Sequence, residues 1–111
     1  MTGTSLIVSI VPKGRGDTVL EASVHAGAHG GTVLFGRGAG VNEQQKLFGI
    51  PIMPEKEIVL TIVYENQSDR ILAEIVTAVE LEKPGAGMAF VMPLDKVVGV
   101  AHLIGEAPPP L

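Results

Sequence analysis

Apolar residues in this chain fall into two rhythms. From Ser5 to Val11 they run almost unbroken, Ser-Leu-Ile-Val-Ser-Ile-Val, until Pro12 ends the run. A short β-branched segment stopped this way predicts a strand. Thr-Val-Leu-Phe within Gly31–Phe35 predicts a second strand, and Glu57–Tyr64, Glu-Ile-Val-Leu-Thr-Ile-Val-Tyr, a third. The other rhythm is helical. Asp17 can cap a helix, because its carboxylate accepts from the free amides of a first turn. Val19, Leu20, Ser23 and Val24 then share one face, and Gly27 suits the stop. Ser68 or Asp69 can cap a second helix, in which Ile71, Leu72, Ile75, Val76 and Val79 form an amphipathic stripe. Two further apolar segments, Met88–Met92 before Pro93 and Lys96–His102, predict strands near the end.

Between the second and third strands, residues 36–54 follow neither rhythm. They hold Gly36, Gly38, Gly40 and Gly49, the prolines Pro51 and Pro54, and the polar run Asn42–Lys46. A loop longer than about 12–15 residues is usually functional or disordered. Leu47–Pro54 is apolar for a loop, which suits either a docking surface or a segment packed back on its own assembly. Glu55, Lys56 and Glu57 read as a solvated charge run, and Ala107–Leu111 as a disordered tail after one domain spanning 1–106.

The order β-α-β, long loop, β-α-β defines an α+β fold. It is the ferredoxin-like βαββαβ arrangement, an antiparallel sheet with both helices on one face. The third strand is apolar on both sides, so the other face of the sheet needs a cover, which an oligomer would supply.

Composition narrows the function. A chain of 111 residues fits one domain, and with 46% hydrophobic but only 4% aromatic residues its core rests on Val, Ile, Leu and Ala. The mean hydropathy of +0.38 agrees with surface hidden in an oligomer. A net charge of −4 without any Lys/Arg stripe argues against nucleic acid. With no cysteine, disulfide and thiolate chemistry are excluded. No apolar run reaches the roughly 18 residues that span a bilayer, and Met1–Ser5 does not resemble the start of a secretory signal. The expectation is a cytoplasmic protein that is not membrane-embedded.

Two glycine turns carry the candidate chemistry, Gly36-Arg37-Gly38-Ala39-Gly40 and Gly85-Ala86-Gly87, each beside a strand. Such turns let backbone amides approach a ligand closely. Reactive side chains are scarce around them. Glu43, Glu82 and Asp95 form no recognisable acid–base pair, and no Ser sits in a nucleophile-like turn, so the reading is a binding or signalling module and not an enzyme. His25 and His29 have a spacing that clamps metals on helices, but the helix should end near Gly27 and no third ligand is evident.

Four segments together resemble the P-II nitrogen-regulator superfamily of signalling proteins. They are Ser5–Pro12, His25–Val33, the large loop after Gly38-Ala-Gly40, and Lys83-Pro-Gly-Ala-Gly-Met-Ala-Phe-Val91, which is like the family's Lys-x-Gly-x-Gly-x-x-Phe-Val turn. The resemblance covers about residues 5–103. It implies a homotrimer with an effector, an adenine nucleotide such as ATP, ADP or AMP, in each cleft between subunits. The ligand positions it implies here are His29, Arg37, Gly38, Gly40, Lys83, Gly85, Ala86, Gly87 and Met88. The large loop, about 37–56, would dock on a membrane transporter or a regulatory protein, with Asn42, Gln44, Lys46, Phe48 and Ile50 as candidate contacts.

The chain departs from the family pattern where phosphates are held. Met88 stands where the family usually has a Lys, and Gly99 and Ala101 where it has two Arg on the last strand. Each charge-assisted hydrogen bond is worth about 1.5–3 kcal/mol. The large loop contains no Tyr and no Ser, so it offers no acceptor for the family's usual modifications. The alternative reading is a structural or metal-binding ferredoxin-like trimer without nucleotide sensing.

Overall fold

The computed structural model describes residues 3–40, 45–47 and 49–99. Strand β1 is Thr4–Pro12, helix α1 Gly16–His25 and strand β2 Thr32–Arg37. Two three-residue strands follow, β3 (Gln45–Leu47) and β4 (Ile50–Ile52), then the long strand β5, Glu55–Tyr64. A single 3-10 turn over Glu65–Gln67 leads into helix α2, Ser68–Ala78, and β6 covers Met88–Leu94. Strands β2-β5-β1-β6 form one sheet in that order, and every neighbouring pair is antiparallel. This is the ferredoxin-like α+β architecture that the alternating rhythms predict.

Side-chain alternation divides the sheet. Odd-numbered residues of β1 and β5 face the helices. There Ile7, Val11, Val59 and Val63 meet Val19 of α1 and Ile71, Ile75 and Val79 around α2, all essentially inaccessible to solvent. The stripe expected on α2 therefore builds the core. On α1, Val19 and Ser23 are buried, whereas Val24 lies on the exposed side. Burying a branched aliphatic side chain contributes about 1.5–3 kcal/mol, so these contacts hold the helices to the sheet.

The even-numbered face carries Leu6, Val8 and Ile10 of β1, Ile58, Leu60 and Ile62 of β5, and Leu34, Met88, Phe90 and Met92 on the edge strands. No helix covers it. Leu34, Met88, Phe90 and Met92 keep 41–56% of their surface exposed. An apolar face this broad is uncommon on a monomer.

Several local expectations are corrected. Asp17 does not cap α1: the helix starts one residue earlier, at Gly16, and its cap position, Arg15, makes no side-chain capping bond. The carboxylate of Glu57 serves instead, accepting from Gly14 N–H at 2.9 Å and Gly16 N–H at 2.8 Å. Strand β6 runs through Pro93, which is tolerated because β6 is an edge strand. Residues 96–99 form no strand, and Gly99 takes a positive φ of 88° there. The large loop is not wholly irregular, since β3 and β4 pair antiparallel, Gln45 with Ile52 and Leu47 with Ile50. The proposed tail, 107–111, and Ala101 lie outside the described residues.

Helix ends follow the glycine rule once and break it once. Gly27 (φ 120°) closes α1, with Ala28 N–H donating to Ser23 O, and Arg70 reaches across from α2 to donate to Ala26 O through Nε at 3.0 Å. This cation sits where the helix dipole favours it. At the end of α2 the positive φ (53°) falls on Glu80, with Leu81 N–H donating to Val76 O.

Candidate functional site

The two glycine turns meet. Strand β2 ends at Arg37, and Gly38 N–H donates to Pro54 O at 3.1 Å, closing the neck of the large loop. On the other side of β1, the turn after α2 brings Gly87 up to Ile10, which pairs with Met88. Gly87 has φ 121°, and a Cβ there would lie 2.3 Å from Ile10 O and 3.1 Å from Val11 Cα. Only glycine lets this turn pass so close to the β1 backbone. Gly85 has φ 78° with open space around its Cα, so its constraint is conformational alone.

Between the turns lies a cleft of about 470 Å³. Its walls are Gly36–Gly40 on one side and Gly85, Gly87 and Met88 on the other; its floor includes Ile10, Ile58 and Lys56. That volume falls in the range of small-molecule sites, about 300–1,000 Å³. Of the sequence candidates, Arg37, Gly38, Gly40, Gly85, Gly87 and Met88 come together here. Ala86, between the two glycines, does not line the cleft, and its N–H is engaged by Lys83 O at 3.2 Å.

Lys83 and His29 are not part of the lining. Lys83 Nζ instead pairs with Glu80 Oε1 at 3.1 Å on the exposed surface. The turn at Glu80 explains this, because it folds the chain back so that the two side chains meet three residues apart. His29 is exposed beyond the end of α1. Among the described residues, no cluster of three or more His, Cys, Asp or Glu could hold a metal ion.

Lys56 is the cleft residue that the sequence reading missed. It is only 7% exposed, not solvated, because it pairs with Pro12 on one side and Gly36 on the other. The available signal was parity: Lys56 continues the even series Ile58, Leu60, Ile62. Its neighbours point to the opposite face. Glu57 holds the start of α1, and Glu55 pairs with Lys13 at 2.7 Å. The Lys13 ammonium, with help from Arg37, holds the Glu55 carboxyl below its ordinary range, and Glu55 in turn raises Lys13.

Among the candidate partner contacts, Lys46 lies on β3 opposite Pro51 and Ile50 opens β4. Asn42, Gln44 and Phe48 fall outside the described residues. Among the described residues, no helix is long and apolar enough to cross a membrane.

An antiparallel βαββαβ sheet with a glycine-walled cleft at the root of a long loop defines a class of small ferredoxin-like proteins. Within that class, the model of the nitrogen regulatory protein P-II family matches residues 4–102, and the chain belongs to this family. Its members are signalling regulators and are usually trimers. Among solved structures, the fold is similar to that of Arabidopsis thaliana PII bound to citrate, with a TM-score of 0.70 and 23% identity over 89% of this chain and 84% of that one. No curated protein sequence matches the chain.

Proposed function

We propose that this chain is a P-II-like signal-transduction regulator of the cytoplasm. It forms a homotrimer, takes a small effector in the clefts between subunits, and controls a transporter or regulatory protein through the loop at about 37–56. The first candidates for the effector are the adenine nucleotides ATP, ADP and AMP.

One observation carries this reading. Gly36–Gly40 is at once a wall of the cleft and the root of the β3–β4 arm. A ligand that touches this wall touches the limb from which the arm springs. It can bias the arm, provided that it binds one arm conformation more tightly than another. The trimer is supported by the uncovered apolar face and by the habit of the family.

The test is thermal unfolding of the full chain with ATP, ADP, AMP and cyclic AMP, each with and without magnesium. Citrate joins the series because the similar Arabidopsis structure is described as bound to it. A ligand at 100 times its Kd stabilises by about 2.7 kcal/mol, so a concentration-dependent rise in Tm is expected. Absence of any shift at millimolar concentration would overturn the effector reading. Light scattering on a sizing column tests the trimer separately.

A further inference from the structure

We infer that the target adds an extended, proline-free strand to the outer edge of β3, pairing through its backbone with Lys46, and does not pair with β4. This rests on the reading of the arm as the docking element and concerns the chemistry by which a partner recognises it.

Register fixes which backbone groups the arm presents. Gln45 faces Ile52, Lys46 faces Pro51 and Leu47 faces Ile50 across β3 and β4. In an antiparallel ladder such pairs alternate between those that exchange two backbone hydrogen bonds and those that exchange none. Pro51 has no N–H, so Lys46–Pro51 is not a doubly bonded pair. The bonded pairs are therefore Gln45–Ile52 and Leu47–Ile50. At the pair between them the backbone groups point outward. Lys46 presents an N–H and a C=O on the outer edge of β3, whereas Pro51 presents only a C=O on the outer edge of β4.

The two edges are thus unequal. A strand laid beside β3 can exchange both bonds with Lys46. A strand laid beside β4 finds no donor at the matching position. Proline is a common guard of exposed strand edges. Strand β6 carries the same guard, because Pro93 faces Ser5 and by the same alternation its missing N–H falls on the outer edge of the four-stranded sheet. On the arm, β4 is guarded in this way and β3 is not. Among the described residues, β3 has β4 as its one neighbouring strand.

A ribbon of two three-residue strands is marginal by itself, and a third strand is what stabilises such a sheet. The neck below it is fastened by Gly38 N–H donating to Pro54 O, so the ribbon is offered with its ends fixed and one edge unfilled. Strand addition fills it. The partner contributes a free N–H and a free C=O from an extended segment, which neither a helix nor a proline-rich segment supplies.

The probe is a display library of random twelve-residue peptides, selected on the full chain with and without ATP, ADP and AMP. Counter-selection uses the same chain with residues 41–53 replaced by a glycine-serine linker, so that only arm-dependent binders remain. The selected peptides are expected to bind Lys46→Ala within threefold of the unaltered chain, because the backbone donor is kept. Lys46→Pro should weaken them at least tenfold, and Pro51→Ala should not weaken them. In the unaltered chain, exchange of the Lys46 amide hydrogen should slow at least tenfold on peptide binding, a readout that needs no variant. Arm-dependent peptides that bind Lys46→Pro undiminished, or that leave Lys46 amide exchange unchanged, would keep the arm as a docking element and overturn this inference alone. Absence of any arm-dependent binder would overturn docking through the arm and this inference with it.

Discussion

The carboxylate of Glu57 rests against Gly16, its Oε1 accepting the Gly16 N–H at 2.8 Å while Oε2 accepts from Gly14. A Cβ at Gly16 would lie 2.3 Å from that same Oε1. The glycine is therefore the socket for a cap supplied from 41 residues away. Loss of a helix cap costs about 0.5–2 kcal/mol. Glu57→Ala is expected to destabilise by about 1–2 kcal/mol, and Gly16→Ala by a similar amount. The double variant should cost less than the sum, because both changes break one contact. Urea unfolding of the four proteins checks this, and strict additivity would contradict the socket.

Gly85 and Gly87 look equivalent in the sequence, but the structure separates them. Both have positive φ, yet only Gly87 is pressed against the β1 backbone. Gly85→Ala should cost about 1 kcal/mol for the left-handed conformation. Gly87→Ala adds a clash with Ile10 O and should cost about 2–4 kcal/mol or unseat the turn. Denaturant midpoints that rank the two variants the other way would show that the turn is not held by this approach.

Thr61 is fully buried, and its Oγ1, like Ser9 Oγ, has no hydrogen-bond partner among the described residues. A buried hydroxyl without a partner costs about 1–3 kcal/mol. Thr61→Val keeps the shape and removes that cost. It is expected to stabilise by about 1 kcal/mol and to raise Tm by several degrees, and a lower Tm would argue against the assignment.

Tyr64 is the sole tyrosine of the chain. Burial raises its phenol above the ordinary value. The folded state thus favours the neutral form. This contribution to stability is complete below the unfolded pKa of about 10 and is lost as pH rises through the folded value. Tm should fall more steeply above about pH 10 in the parent than in Tyr64→Phe. Phenolate absorbance appearing at the ordinary pH in the folded protein would contradict this.

Strands and helices were legible because their apolar periods differ, and Val, Ile and Leu carry those periods on nearly every element. The cleft was half legible. Gly36–Gly40 and Gly85–Met88 were found because glycine at close spacing marks positions where the backbone itself is in demand. Lys56 escaped notice because charges on both sides suggested solvent, and its burial depends on Pro12 and Gly36, distant in sequence. Lys83 lies apart from the cleft lining for the converse reason. It adjoins the glycine turn along the chain, but a left-handed Glu80 turns the segment and pairs the two side chains. The cap from Glu57 was equally hidden, since a local acid, Asp17, offered itself.

The loop neck has a consequence for how such a protein diversifies. Gly38 N–H to Pro54 O, the Arg37–Glu55 rung and Lys13 N–H to Glu55 O fasten both ends of the arm to the body. Once the ends are fixed, doubling the number of residues between them adds only about 0.6 kcal/mol of closure entropy. Insertions, deletions and wholesale replacement between the two anchors are thus nearly neutral for folding. Selection can rewrite the arm to suit a new target while the body that carries it stays as it is.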